Sequence, residues 1–284
     1  MATNILDKIE AGLPSFTRLQ KTAARQILDD PMDSAFSTVD QFARKAKIST
    51  ATVVRFANAM GYAGYSEFQH ALQDFLYTRH NPLQRLEKSM YPRQREDSVL
   101  STICKNQLNL LDAVFNDKLE SQIRETAECI GKANHVYTAG SRGSYSIAYY
   151  LCHNINRLYH NADILPETSR LPDYLSRIRP DDVLIIVNFP RYSNQMVSIA
   201  KYTKELGAKN IVITDSRFSP YTQLSDIIFQ LPCSSNDYHN TLLPALLVSE
   251  LLISYLIANN VKMARESLDA LEPICQALGM YVGN

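Results

Sequence analysis

The chain has 284 residues, of which 45% are hydrophobic and 20% charged, and its 29 Lys plus Arg balance 29 Asp plus Glu to a formal net charge of zero. Such a composition is globular and long enough for one large or two medium domains. Zero net charge excludes nucleic-acid attraction by global charge, so any cationic surface has to be local.

No stretch approaches the roughly 18–20 uninterrupted apolar residues that span a bilayer. The opening MATNILDKIEAGLPSF has acidic residues and no apolar run of the secretory kind. A cytoplasmic protein with no membrane partner is expected. The five cysteines, Cys104, Cys129, Cys152, Cys233 and Cys275, form no C-x-x-C pair and no His/Cys cluster at metal-ligand spacing. They read as reduced, mostly buried thiols, and neither a metal nor a cofactor is expected.

Taken from the N-terminus, residues 15–30 carry Phe16, Leu19, Ala23, Ile27 and Leu28 at helical spacing and stop before Asp30-Pro31, because a residue preceding proline is pushed out of the helical region. Thr38 is a plausible N-cap for a short helix with Val39, Phe42, Ala43 and Ala46 on one face. After Lys47 and Ile48, Ser49 caps a further helix running to Met60, with Gly61 suited to the left-handed position beyond its end. The spacing predicts helix, tight turn, helix.

A helix over 65–78 follows, and NPLQRLEKSMYPRQRED then shifts to proline and charge, a linker signal. The expected division is a first domain over 1–78, a linker over 79–100 and a second domain over 101–284. After helical patterns at 99–115 and 119–131, the period changes. HVYTA, ADIL, VLIIVN, NIVIT and IIFQL are strand-length and rich in β-branched residues, while 145–159, 171–179 and 194–206 have helical spacing. That alternation predicts an α/β fold, a parallel sheet with helices on both faces, after an all-α N-terminal domain. Ligands in such sheets sit at the carboxyl ends of the strands near the topological switch point. A last long helix is expected over 241–258.

The stretch STATVVRFANAMGYAGYSEFQ, residues 49–69, mixes small hydroxyl residues and one Arg with apolar positions. A recognition helix presents its first residues to base edges in the major groove, with short side chains allowing close approach and an Arg reaching a guanine edge or phosphate. Ser49, Thr50, Thr52 and Arg55 fit that need. Between residues 41 and 66 the charges are Arg44, Lys45, Lys47 and Arg55, with no acid among them, the footprint of phosphate attraction. The expected DNA-contacting set is Arg44, Lys47, Ser49, Thr50, Thr52 and Arg55, with Val53, Val54, Phe56, Ala57 and Met60 as the buried stripe. Any small helical domain also has polar faces, some of them basic by chance.

The stretch resembles the helix-turn-helix of the RpiR family of bacterial transcription regulators, whose usual form is a small-residue turn, T-V-x-R-F and an L-G-[FY]-x-G-[FY] exit. Thr52, Val53, Arg55, Phe56, Gly61, Tyr62, Gly64, Tyr65 and Phe68 carry the match. The resemblance implies double-stranded operator DNA as partner, and a second, sugar-isomerase-type (SIS) domain that binds phosphosugars on a five-stranded, flavodoxin-like α/β/α sandwich.

Two loops bear on that implication. After the first strand, Gly140-Ser141-Arg142-Gly143-Ser144 leads into a helix, where glycine permits a tight turn and helix-start N–H groups with the Ser144 hydroxyl form an anion pocket. It resembles the family's G-x-G-x-S with Arg142 in place of the second glycine, and it lacks the spacing of a dinucleotide fingerprint. After VLIIV, the family's S-x-S-G-x-T aligns with Asn188-Phe189-Pro190-Arg191-Tyr192-Ser193. Only Ser193 keeps a hydroxyl there. Pro190 removes a donor, and Arg191 adds a cation able to grip an oxyanion twice, although loop arginines are often only solvated. The expected effector-binding set is Ser141, Arg142, Ser144, Asn188, Arg191 and Ser193, for a phosphosugar, a sugar acid or another small carboxylate.

Thr214-Asp215, Ser219-Pro220 and Asp226 resemble the family's I-T-D…S-P…A-D and, by that resemblance, shape the mouth of the site. Asp226 reads equally as a hydrogen-bond acceptor in the loop before the last strand. His239 and Glu250 flank the final helix where enzymatic relatives place acid–base groups, yet no base is assignable and no catalytic residue is expected. A homodimer or higher homo-oligomer is expected, because a single short recognition helix makes too few contacts for a specific site. The alternative reading is a phosphosugar isomerase or lyase with a helical accessory domain.

Overall fold

The computed structural model describes residues 5–80, 99–216, 219–234 and 239–281. The chain divides into two compact units, Met1–Pro92 and Arg93–Asn284. Most of the expected linker, residues 81–98, lies outside the described residues.

The first unit is all helical, with α1 Ile5–Gly12, α2 Arg18–Asp29, α3 Pro31–Phe36, α4 Val39–Ala46, α5 Thr50–Ala59 and α6 Tyr65–His80. Local capping fixes most starts. Thr17 and Gln20 form a reciprocal capping box on α2, and Thr38 and Gln41 form another on α4. Each such cap contributes about 1 kcal/mol. Two helices escape the sequence pattern. Helix α1 is short, and α3 begins at Pro31, which had read only as a stop. Asp30 closes α2 and then accepts the Asp33 N–H at 3.0 Å, so Pro31 takes the first helical position, where its missing donor is harmless.

Buried rings hold this unit. Phe56 is fully buried, edge-on to Phe16 at 5.4 Å and to Phe68 at 5.6 Å between centroids. Tyr65 packs against Phe42 and donates its hydroxyl to the Ser34 and Ser37 carbonyls at 3.2 and 3.1 Å. Burial first, and the Asp33 carboxylate second, push its hydroxyl pKa up to about 12. The expected apolar positions Leu19 and Leu28 are exposed and half-buried; Ala23, Ala24 and Ile27 form the inward stripe of α2.

The second unit contains α7 Val99–Asp112, α8 Leu119–Lys132, β1 Val136–Gly140, α9 Ser144–Tyr159, β2 Ala162–Ile164, α10 Leu171–Leu175, β3 Val183–Val187, α11 Asn194–Glu205, β4 Lys209–Thr214, β5 Ile227–Gln230, α12 Leu243–Asn259 and α13 Val261–Ala277. The five strands are all parallel in the order β2-β1-β3-β4-β5. All five residues of β3, VLIIV, are buried, which is why the run reads as continuously apolar rather than alternating. One face packs Ile123 and Ile130 of α8, Leu151 and Ile155 of α9, and Val248 and Leu252 of α12. The other packs Leu171 of α10 with Met196 and Ile199 of α11. The expected three-layer α/β/α arrangement is the one observed.

Some boundaries differ. Helix α10 is shorter than the 171–179 pattern, closing in a turn after Leu175. Helix α13 has no counterpart in the expectation, since it contains Pro273 and buries only Ser267. Among the described residues no single helix is long and apolar enough to cross a membrane. None of the five cysteines is in a disulfide, but only Cys152 and Cys233 are buried; Cys104 is exposed because α7 buries no residue.

Candidate functional site

Two surfaces, one in each unit, carry the residues singled out by sequence. In the first unit the turn between α4 and α5 is closed by backbone geometry. Lys47 is left-handed, at φ 53 and ψ 44, and the Ile48 N–H reaches back to the Ala43 carbonyl at 3.0 Å. The far end of α5 closes the same way, with Gly61 at φ 90 and the Tyr62 N–H on the Ala57 carbonyl at 3.1 Å. Ser49 caps α5 by accepting the Thr52 N–H at 3.2 Å.

Helix α5 turns Val53, Phe56 and Ala57 inward and leaves Thr50, Ala51, Val54, Arg55 and Asn58 exposed. Two expectations on this helix are corrected. Thr52 is only 3% exposed, whereas Val54 is 38% exposed. Thr52 shares a helix face with Phe56, four residues on, so it turns inward and its hydroxyl meets Ser49 Oγ at 2.9 Å. Val54 lies about 200° around the helix from Thr52 and faces solvent. Met60, expected in the stripe, is half-buried.

Arg55 Nη2 donates to Thr52 Oγ1 at 3.2 Å, which lays the guanidinium along the leading end of the helix. Arg44, Lys47, Ser49 and Thr50 are all exposed. Lys45, by contrast, is paired with Asp33. The sequence reading missed Ala51 and Asn58, although they lie seven residues apart and four before and three after Arg55, which places them on its face.

In the second unit the strand order reverses between β1 and β3, so the crevice of the fold lies at their carboxyl ends. Gly140 and Val187 are register partners, and the two candidate loops therefore leave adjacent strands from paired positions. A Cβ on Gly140 would lie 2.6 Å from the Ser144 carbonyl oxygen, so only glycine lets the first loop turn this tightly. Ser144 is buried, Ser141 half-buried and Arg142 exposed. Asn188 is buried, Ser193 half-buried and Arg191 exposed.

The expected backbone pocket at the first loop is corrected. The N–H groups of Ser144, Tyr145 and Ser146 are each taken at 3.1 Å by the carbonyls of Ser141, Arg142 and Gly143. They close a tight turn and are not left over for an anion. Ser193, at the cap position of α11, makes no side-chain cap bond.

Both loop arginines have left-handed backbones, Arg142 at φ 54 and Arg191 at φ 71. That region disfavours side chains with a Cβ by about 1–2 kcal/mol. The second loop is held at several points: Phe189 is buried in the core, Asn240 Nδ2 donates to the Pro190 carbonyl at 3.1 Å, and Tyr192 Oη donates to Asp215 at 2.5 Å. Asn188 N–H bonds the Ile213 carbonyl at 3.0 Å, while its Oδ1 is buried without a hydrogen-bond partner. The sequence reading missed Tyr192 and Asn240; neither pairing has a local spacing signature.

Asp226 does not shape this mouth. It accepts the Asn210 N–H at 2.8 Å and Lys204 Nζ at 2.9 Å, next to the register pair Ile211 and Ile227 at the amino end of the strands. Burial raises its pKa, but the Asn210 amide and the Lys204 and Lys209 ammonium groups outweigh that, leaving it below the ordinary value. His239 is exposed beside Asn240, and Glu250, exposed on α12, is hydrogen-bonded to Tyr150. Burial and this bond push the Tyr150 hydroxyl up to about 12.

A capped helix-turn-helix with an exposed cationic reading face, followed by a parallel α/β/α unit with a crevice at its switch point, defines a two-part DNA-binding regulator. Comparison with known proteins narrows the class. Residues 3–78 match the model of the helix-turn-helix domain of the rpiR family, and residues 130–257 match the SIS domain. An HTH-type transcriptional regulator of Haemophilus influenzae is 25% identical over 233 residues, covering 79% of this chain and 78% of its own length. The HTH-type transcriptional regulator HexR of Escherichia coli is 21% identical over 218 residues, 75% of this chain and 73% of HexR. Among solved structures, the Vibrio vulnificus NanR protein complexed with ManNAc-6P superposes with a TM-score of 0.58 at 20% identity, covering 99% of this chain and 100% of NanR. The sugar isomerase domain of an RpiR transcription factor from Sphaerobacter thermophilus gives 0.59 at 24% identity, over 62% of this chain and 99% of that one. The chain belongs to the RpiR family of transcriptional regulators.

Proposed function

We propose that residues 1–78 bind operator DNA, that 79–100 link the units, and that 101–284 bind a small anionic effector and dimerise. Effector binding changes operator affinity by favouring one arrangement of the dimer over another. The observation that carries this reading is the exposed face of α5, where Thr50, Arg55 and Asn58 stand on a helix fixed at both ends. Arg44, Lys47, Ser49, Thr50 and Arg55 are the DNA-contacting residues, with Thr52 positioning Arg55 from below.

Several observations support the remaining parts. The NanR structure holds a phosphosugar on the same fold, which favours an effector drawn from phosphosugars and related acids, bound by Ser141, Arg142, Ser144, Asn188, Arg191 and Ser193. Exposed Leu268 and Ile274 on α13, Leu278 just beyond its end, and Leu100 and Leu108 on α7 favour a second copy as their cover. The protein acts by binding rather than by turnover, since the relatives are named as regulators and Glu250 is engaged by Tyr150. A DNA partner sets the cytoplasm as its compartment.

The test is fluorescence anisotropy on an operator selected from random duplexes by the full chain. Arg55→Ala is expected to lose tenfold or more in operator affinity, about 1–3 kcal/mol, with an unchanged far-ultraviolet spectrum. Equal affinity in the variant refutes the reading.

A further inference from the structure

The crevice departs from a phosphate cradle in three respects. At the start of α9 the backbone donors are consumed by the turn itself, with Ser144, Tyr145 and Ser146 N–H groups bonded to carbonyls three residues back. In the second loop Pro190 has no N–H to offer, and Phe189 is buried in the core. Three backbone donors of the first loop and one of the second are thus withdrawn from an anion, while the first N–H groups of α11 have no intrahelical partner.

What the loops carry instead is charge on side chains. Arg142 and Arg191 occupy the two loops that leave paired strands β1 and β3, and both are exposed. Each holds a left-handed backbone that glycine takes without strain, at φ 54 and φ 71. Strained backbones of this kind cluster at ligand clamps, and here two stand on neighbouring loops. The guanidinium is a planar fork that takes an oxyanion through two parallel hydrogen bonds. At the root of the second loop the buried Asn188 Oδ1 lacks a donor, a place for a ligand hydroxyl.

We infer that the effector of this chain is a doubly acidic small molecule, a dicarboxylate or a carboxylate that also bears a phosphate, with one acid group on Arg142 and the other on Arg191. The inference rests on the crevice being the effector site. It excludes a neutral sugar bearing a single phosphate as the preferred ligand.

The experiment is isothermal titration and thermal shift of the full chain with glucose 6-phosphate and gluconate, each with one acid group, and 6-phosphogluconate and succinate, each with two. Binding is expected from a doubly acidic probe, at least about tenfold tighter than from either singly acidic one. Arg142→Gly and Arg191→Gly, which suit the left-handed backbone, are each expected to weaken it about tenfold or more. Glucose 6-phosphate binding as tightly as 6-phosphogluconate, undiminished binding in both glycine variants, or no response to either doubly acidic probe overturns the inference. The effector-site reading fails separately: a bound probe that keeps full affinity in Ser144→Ala and Ser193→Ala as well as in both arginine variants sits elsewhere on the molecule.

Discussion

Both units place a non-glycine residue in the left-handed region at a critical turn, and the surroundings of those residues differ. Lys47 sits inside a closed helix end, where the Ile48 N–H bonds Ala43, Ser49 caps the next helix, and Phe42 and Ala46 bury the near side. Arg142 and Arg191 sit on loops beside a buried oxygen with no donor, next to a helix start with no side-chain cap. In the first case the fold offsets the strain locally, producing a stiff platform. In the second the strain stands beside unmet hydrogen-bonding capacity at Asn188 Oδ1, which the proposed effector would complete. Rigidity suits the surface that must keep a fixed register on DNA, and incompleteness suits the one that must respond.

The largest expected effect separates the units. Phe56→Ala removes a fully buried ring touching Phe16 and Phe68, and is expected to destabilise the first unit by about 3–5 kcal/mol. Calorimetry should show one transition lowered and the other unmoved. A joint shift of both would break the comparison by making the units one cooperative body. Next, Lys47→Gly keeps the left-handed turn and deletes one cation. It should leave folding intact while reducing the slope of log affinity against log salt by about 1, read from operator titrations at several salt concentrations.

A pH experiment sharpens the contrast between the two ends of the sheet. Asp226 has a folded pKa below its unfolded one. Its contribution to stability is therefore complete above the unfolded value, and it disappears as pH falls through the folded value, below about 4. Asp226→Asn should flatten the loss of stability across that window while leaving effector binding unchanged, because the residue lies at the amino end of the strands. The smallest effect is expected from Arg142→Gly on folding. Relief of the left-handed strain opposes the added freedom of the unfolded chain, so stability should move by no more than about 1 kcal/mol, measured by urea denaturation.

The layered fold was legible because each of its signals is local. Five apolar runs became five strands with ends shifted by no more than one residue, and Thr38, Ser49 and Gly61 took the cap and turn positions their chemistry suits. Helix α3 was hidden because proline serves both as a stop and as a first residue. Helix α13 was hidden because its interior Pro273 and exposed apolar side chains give no inward stripe. On α5 the misassignment of Thr52 and Val54 came from ranking side chains by polarity rather than by angle around the axis. At the crevice, composition pointed to Arg142 and Arg191. Their backbone strain, the spent N–H groups of α9 and the Asn240 tie to Pro190 depend on three-dimensional closure, which no spacing encodes.

The repeated caps of the first unit also bear on the order in which the chain acquires its shape. Thr17, Asp30, Thr38 and Ser49 each fix a helix start through contacts three residues away, whereas the sheet must pair Val136 with Val183 and Val183 with Lys209. Short-range contacts close faster than long-range parallel pairing, and the N-terminal part of a chain leaves the ribosome first. The helix-turn-helix is therefore assembled while β5 is still being synthesised, so a nascent chain has its reading helix before it has a sensor to govern it.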